Sequence, residues 1–290
     1  MRIEARYYET YELCGIVDQV LRDPFEYAGG LEGLTCDDGW VGLTAPFEKH
    51  SALHRLIEFV VRNVHREQIE SFDLVERQRR VENLRDLPET LQEMRVTTLP
   101  IELAFDAYDI PHETFIEHLA SIDKTFASAS DDDLYHFLQD TFLTEDYDCL
   151  LDQTVKEVFH IVFQNRGLLL SFNDYVSSVV ARANLDQIAE LPVDRFESDG
   201  TLQRHRPPQW AQRAVFFRDR GRCVLCDKDL SGLTNLSNVE NYDHIVPLAR
   251  FGLNDVSNLQ LLCAECNRAT KAAGPAVTAS TYQTWYSYDD

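Results

Sequence analysis

The sequence predicts an α+β chain in which a mainly α-helical, acidic domain over residues 1–195 precedes a small C-terminal module at 209–275. Three observations predict it. Apolar residues recur at helical spacing from about residue 48 to residue 190, two Cys-x-x-Cys pairs stand after residue 220, and the charge is divided sharply between the two regions. A length of 290 residues is more than one domain usually needs, and 44% hydrophobic content is ordinary for a packed core.

Taken in order, segment 1–47 carries Gly29-Gly30, Gly33 and Asp37-Asp38-Gly39 around short apolar pieces, so a small hairpin or irregular cap is expected there. Beyond it, Leu53, Leu56, Ile57, Val60 and Val64 follow the i, i+3, i+4 rule. So do Leu151, Val155, Val158, Phe159 and Val162, and then Val176, Val179, Val180 and Ala183. Breaks are expected at Leu87-Pro88, Leu99-Pro100, Ile110-Pro111 and Gly167. Ser130 followed by Asp131-Asp132-Asp133 and then Leu134, Phe137 and Leu138 has the form of a helix start whose acids complement the dipole, so the triple acid reads as capping chemistry. From Pro192 to Pro208 the periodicity is lost and Gly200 and two adjacent prolines appear, which predicts a linker at 196–208; residues 276–290 read as a tail.

The richest apolar runs, VFHIVF and GLLLSF, fall far short of the ~18 residues of a membrane span. A soluble, cytoplasmic chain with no membrane partner is expected. Phosphate-cradling and dinucleotide fingerprints are missing, as is a nucleophile elbow, so no nucleotide cofactor is expected. His50 and His54 are four apart on a predicted helix, but without the glutamate of a His-Glu-x-x-His site they read as packing.

The net charge of −22 argues against a nucleic-acid binder, because phosphate contacts need Lys and Arg. The average conceals the division: residues 1–200 hold 17 basic and 40 acidic residues, a net of −23, whereas residues 201–290 hold ten and nine, a net of +1. The one basic stretch holds Arg204, Arg206, Arg213, Arg218, Arg220 and Arg222 against the single acid Asp219, and backbone phosphates are its obvious partner. The competing reading is a helix packing Trp210, Ala214 and Phe217 on the module, its arginines neutralising the acidic domain.

Four of the seven cysteines form the pairs Cys223-x-x-Cys226 and Cys263-x-x-Cys266, which suit a tetrahedral structural Zn²⁺, each pair supplying two ligands from one tight knuckle. Four reduced thiols in coincidental spacing is the bland alternative. Cys14, Cys36 and Cys149 read as buried apolar fillers. The 36 residues between Cys226 and Cys263 exceed the usual spacing and form an insertion that contains the remaining polar signals.

Those signals carry a resemblance. Cys223-Val-Leu-Cys226, then Tyr242-Asp243-His244-Ile245-Val246-Pro247, then Asn258-Leu259-Gln260-Leu261-Leu262-Cys263-Ala264-Glu265-Cys266-Asn267-Arg268 and Lys271 look like the HNH nucleases of the ββα-metal (His-Me finger) fold. Within the family the likeness is to the Cys₄ subgroup, which resembles endonuclease VII-type phage resolvases, and it covers about residues 205–275. It implies phosphodiester hydrolysis, with His244 as general base and Asp243 and Asn267 as ligands of a catalytic Mg²⁺ or Mn²⁺. It implies too that Asn258 holds the loop between the strands and so orients His244, and that Arg268 and Lys271 face phosphates. Arg213, Arg220 and Arg222 are the other expected nucleic-acid contacts.

Two departures stand against the pattern. The last residue of the motif is Asn267 where the family name has His, as in the endonuclease VII-like subgroup. Adjacent residues of a regular strand point to opposite faces, so Asp243 and His244 can share a site only where the strand bends or ends. The reading as a whole is a DNA endonuclease or nickase whose acidic domain controls it or recruits a protein partner, as in anti-phage defence or restriction. The alternative is a non-catalytic zinc module that binds nucleic acid or protein.

Overall fold

A computed structural model of the chain describes residues 9–24, 26–27, 31, 34, 39–84, 97–183, 192–232, 240–270 and 274–279. It is α+β, mainly helical, with a small two-stranded antiparallel sheet and a four-cysteine cluster near the C-terminus. No helix among the described residues is long and apolar enough to cross a membrane. The chain divides into two compact units, one of residues 1–13 and 58–157, the other of residues 14–57 and 158–290. The expected break at Leu87-Pro88, the glycine turns at 29, 30 and 33, and Cys36 lie outside the described residues.

Where a hairpin or irregular cap was expected, the structure has helix α1, Glu9–Arg22. The glycines further along drew that reading, but Leu13, Val17, Val20 and Leu21 stand at i, i+4, i+7 and i+8 and are buried, with Glu9 and Glu12 in the first turn and Arg22 in the last. Helices α2 (Gly39–Leu43), α3 (Ala52–Glu70) and α4 (Leu74–Leu84) follow.

In the first unit, α5 (Pro100–Ala107) starts with Pro100 in its first turn, where the missing N–H is harmless. The side chain of Glu102 turns back to the Leu99 N–H and also accepts the Phe115 N–H at 2.6 Å, joining α5 to α6 (Phe115–Ser121). At α7 (Asp131–Thr141) the triple acid caps as read from the sequence. The Ser130 hydroxyl accepts the Asp133 N–H, and the Asp133 carboxylate accepts the Ser130 N–H at 2.9 Å and Lys124 Nζ at 2.7 Å. These bonds hold the Asp133 carboxyl well below the usual carboxylate range. The core of this unit is aromatic and aliphatic, with Phe105, Phe115, Phe137 and Tyr147 almost wholly buried. Cys149, on α8 (Glu145–Val162), is exposed and so is not the buried filler expected.

In the second unit, α9 (Arg166–Arg182), capped by Asn165, buries Leu168, Leu169, Phe172, Val176 and Val180. It packs against α2 and against the turn Val256–Asn258. His54 stacks on Phe159 with ring centroids 3.7 Å apart, so this histidine packs as the sequence suggested. Residues 196–208, expected as a linker, lie inside this unit. They are ordered there by a bridge between Phe196 and Leu202 and by the Gln203 N–H donating to Arg195 O at 2.9 Å. Helix α10, Gln209–Arg218, buries Ala211, Val215 and Arg218, while Phe217 is 75% exposed. The face of Trp210, Ala214 and Phe217 expected from the sequence is thus not the packed one, because a buried ion pair draws Arg218 inward.

That pair belongs to a network. The carboxylate of Asp219, fully buried, accepts Arg218 Nε and Nη2 at 2.8 Å each and the Leu261 N–H at 2.9 Å, with Arg166 at 3.5 Å. It joins α9, α10 and strand β2 (Leu259–Leu262), which pairs antiparallel with β1 (Asn241–His244). Helix α11, Ala264–Ala269, follows β2 and packs on β1, completing a β-loop-β-helix order.

One buried histidine of the first unit makes stability depend on pH. His65, 1% exposed, is pushed down to about 4 by burial and then by Arg62. An unfolded histidine binds its proton near 6.5, so between about pH 6.5 and 4 the unfolded chain holds the extra proton. The stability is therefore full above pH 6.5 and is lost as pH falls towards 4. Replacing His65 with Gln is expected to remove about 3 kcal/mol of that acid-side dependence. Urea unfolding of both proteins at pH 7, 5.5 and 4.5 checks this; identical pH slopes would contradict it.

Candidate active site

The first knuckle is a tight turn at 221–230. Gly221 at φ 62 and Asp227 at φ 59 adopt the left-handed backbone, the Cys223 N–H donates to Lys228 O, and the Asp227 N–H donates to Cys223 O. The Val224 N–H donates to Leu261 O at 3.0 Å, which fastens this knuckle to β2. The second knuckle is the end of β2 itself: Cys263 is the N-cap of α11 and its sulfur accepts the Cys266 N–H at 3.4 Å. The four sulfurs lie within 4.8 Å of one another, and those of Cys226 and Cys263 are 3.7 Å apart. A disulfide would need about 2.05 Å, whereas a tetrahedral ion with Zn–S bonds near 2.3 Å sets its sulfurs about 3.8 Å apart. Cys223, Cys226, Cys263 and Cys266 therefore fit a metal such as zinc. This is the one cluster of its kind among the described residues.

Asp243 and His244 are the last two residues of β1, paired with Gln260 and Leu259. The strand ends there, which removes the objection that neighbours on a strand face apart. Both line one cavity of about 310 Å³, together with Arg204, Pro247, Leu248, Ala249, Ala269, Thr270, Gly274, Pro275 and Val277. The His244 ring is 4% exposed, and neither ring nitrogen has a hydrogen-bond partner among the described residues. Burial pushes its pKa down to about 4, helped by the charge of Arg204 and opposed by the Asn254 side chain, which lies near the ring without forming a hydrogen bond of normal geometry, so the imidazole is neutral at physiological pH. For Asp243, burial raises the pKa, while the His244 N–H, the Thr270 hydroxyl at 3.3 Å and the charge of Arg204 pull it down.

The loop between the strands is held from within by Asn258, which is fully buried. Its Oδ1 accepts the Val246 N–H at 2.8 Å, and its Nδ2 donates to Val246 O and Leu253 O at 2.9 Å each. Its own carbonyl accepts the Ile245 N–H at 2.7 Å. The residue directly after His244 is thereby fixed in position. Gly252 completes the loop, because a Cβ there would stand 2.0 Å from Val246 O.

The remaining expected contacts are scattered. Asn267 lies on α11 one turn before Thr270, but its amide donates to Asn241 at 3.4 Å and it does not line the cavity. Arg213 and Arg268 are exposed, Arg222 pairs with Asp227 at 3.0 Å, and Arg220 is half-buried in a left-handed turn. None of these four lines the cavity. Lys271 lies outside the described residues. Sequence reasoning missed Thr270 as a cavity residue and did not distinguish Arg204 from its neighbours. Thr270 carried a usable signal, since it stands four residues after Cys266, at the end of the helix that begins at the knuckle.

The amide of Asn258 offers a shape-conserving test. In Asn258→Asp the acceptor for the Val246 N–H survives, but a carboxylate oxygen faces two carbonyls that have lost their donor. Each unsatisfied buried group costs about 1–3 kcal/mol, so a loss of about 3 kcal/mol or more at pH 7 is expected. Part of it should return at pH 5, where a protonated carboxyl can donate to one carbonyl. Urea unfolding at both pH values reads this out, and a variant as stable as the wild type at pH 7 would refute the assignment.

No curated protein and no solved structure matches this chain. The model of the HNH endonuclease family matches residues 223–272, from the first knuckle through both strands and α11. This segment, with its four-cysteine cluster and its Asp243-His244 cavity, is an HNH endonuclease domain.

Proposed function

We propose that the protein is a metal-dependent DNA endonuclease, cutting one strand or two, whose chemistry is centred on His244. The observation that carries this is the buried, neutral imidazole with two unpartnered nitrogens beside the Asp243 carboxylate, inside a domain of a nuclease family. A buried imidazole without partners costs stability, and a reacting water and phosphate would supply the missing bonds. In this reading His244 takes the proton from the attacking water, and the loop fixed by Asn258 keeps the ring aimed at it. Asp243 is an oxygen donor suited to Mg²⁺ or Mn²⁺, with Asn267 as the second protein ligand. The ion, when bound, polarises the scissile phosphate and stabilises the leaving oxygen. Zinc in the four-cysteine cluster is structural, because four thiolates leave no open position.

The expected result in a plasmid-nicking assay is cleavage with Mg²⁺ or Mn²⁺, none with EDTA, and a rate lower by roughly 100- to 10,000-fold in His244→Ala. Elemental analysis should find near one zinc per chain in both proteins. If His244→Ala cuts as fast as wild type, the catalytic role is wrong; if neither cuts under any metal, the zinc domain is a binding module.

The acidic character of residues 1–200, net −23, supports a second part of the reading: this region holds DNA off or recruits a protein partner, as an effector of anti-phage defence or restriction would need. The full chain carrying Asp131→Asn, Asp132→Asn, Glu145→Gln and Asp146→Asn should then bind DNA more tightly, with a changed salt dependence. Unchanged affinity across a salt series would remove the hold-off role.

A further inference from the structure

We propose that Arg204 is the residue that holds the scissile phosphodiester in the cavity, contacting a non-bridging phosphate oxygen opposite His244. This inference rests on the nuclease reading above and deepens it. Among the described residues that line the cavity Arg204 is the single cation, and it shares that lining with Asp243 and His244. The other arginines of the basic stretch stand elsewhere: Arg218 is buried against Asp219, Arg222 pairs with Asp227, and Arg206, Arg213 and Arg220 do not line the cavity.

The backbone that carries Arg204 is clipped on both sides. The Asn254 side chain, 3% exposed, donates to Gln203 O at 2.7 Å and accepts the His205 N–H at 3.2 Å. Asn254 belongs to the loop that joins the two strands, and its carbonyl accepts the Phe47 N–H at 2.8 Å. The guanidinium thus extends from a segment clipped to the loop that follows His244. The Arg204 side chain is exposed and forms no ion pair among the described residues, so its donors are available to an anion. A planar guanidinium suits a phosphate bearing two free oxygens, and the cavity of about 310 Å³ accommodates a phosphodiester group. A donor aimed at a reacting phosphate matters most in the transition state, where negative charge builds on those oxygens.

The experiment compares wild type, Arg204→Ala, Arg204→Lys and His244→Ala as full chains, measuring kcat and KM for plasmid nicking with Mg²⁺ and DNA affinity in EDTA. Arg204→Ala is expected to lower kcat roughly 100-fold, by analogy with loss of one transition-state donor. Its DNA affinity should change by less than about threefold, since one phosphate contact among many is lost. Arg204→Lys should restore part of kcat, keeping the charge without the planar fork. Zinc content and thermal unfolding should match wild type in all four. Wild-type kcat in Arg204→Ala, or a loss confined to DNA affinity, would overturn the assignment while leaving the nuclease reading intact if His244→Ala is dead. No cutting by wild type would overturn both.

Discussion

The second unit depends on a short run of polar residues that the chain buries almost completely. Asn254, Asp255, Ser257, Asn258 and Gln260 are each 3% exposed or less, and they occupy the end of the loop and the start of β2. Leaving any one of them unpaired would cost about 1–3 kcal/mol, so each must find a partner. The partners come from different places in the chain. Asn254 takes the backbone at 203 and 205, and the Asp255 carboxylate accepts the Ala52 N–H at the start of α3. Ser257 receives Asn173 of α9, Asn258 takes 246 and 253, and Gln260 donates to Val277 O. Segments far apart in sequence are drawn to one point because that point cannot stay unpaired. His244 and Asp243 stand immediately across β2 from it.

This explains why the described part of the expected tail, residues 276–279, is built into the site. Besides the bond from Gln260, the Val277 N–H donates to Ile245 O at 3.0 Å, and Arg166 Nε donates to Ala279 O at 2.8 Å. With Gly274 and Pro275 this stretch forms a wall of the cavity. The Asp219 network adds a second constraint. A carboxylate buried between two guanidiniums gains little net stability over apolar packing, but it tolerates few alternative arrangements. Here it fixes α10 and α9 relative to β2. It also removes Arg218 and Arg166 from the cations that could meet phosphate, which narrows the charge available to a chain of net −22.

What the sequence showed and what it concealed divide along the same line. The cysteine pairs, Asp243-His244 and Asn258 were legible because their chemistry is set by local spacing: two knuckles, a strand end and a turn. The cap at Ser130 and the break at Leu99-Pro100 were legible for the same reason. Helix α1 was overlooked although its apolar spacing was regular, since the nearby glycines weighed more. The membership of the cavity was not legible at all. Which of six arginines lines the cavity with His244 is decided by Asn254, about fifty residues later in the chain, and by the inward pull of Asp219 on Arg218. Neither long-range choice leaves a pattern in linear order. The ordered state of 196–208 was hidden likewise, because a stretch without periodicity can still be held by backbone hydrogen bonds.

The contrast between Asn258 and His244 is the most informative feature of the site. Within one loop of the same domain, a buried amide with every polar atom satisfied stands close in sequence to a buried imidazole with none. Other buried atoms of this region also lack a partner, Gln260 Oε1 and Asn173 Oδ1 among them, but those residues use their second polar atom, whereas His244 is the described residue with both of its polar atoms unpartnered. Such exceptions persist where the surroundings over-determine the geometry, and here they do: Asn258 fixes Val246, Gly252 leaves room that no side chain could occupy, and the thiol cluster anchors the far end of β2. The fold thus spends its hydrogen bonds on holding the ring in place and none on the ring itself. A neutral imidazole with an available lone pair, fixed beside a carboxylate in a cavity lined by one arginine, is the arrangement on which the proposed attack on a phosphodiester rests.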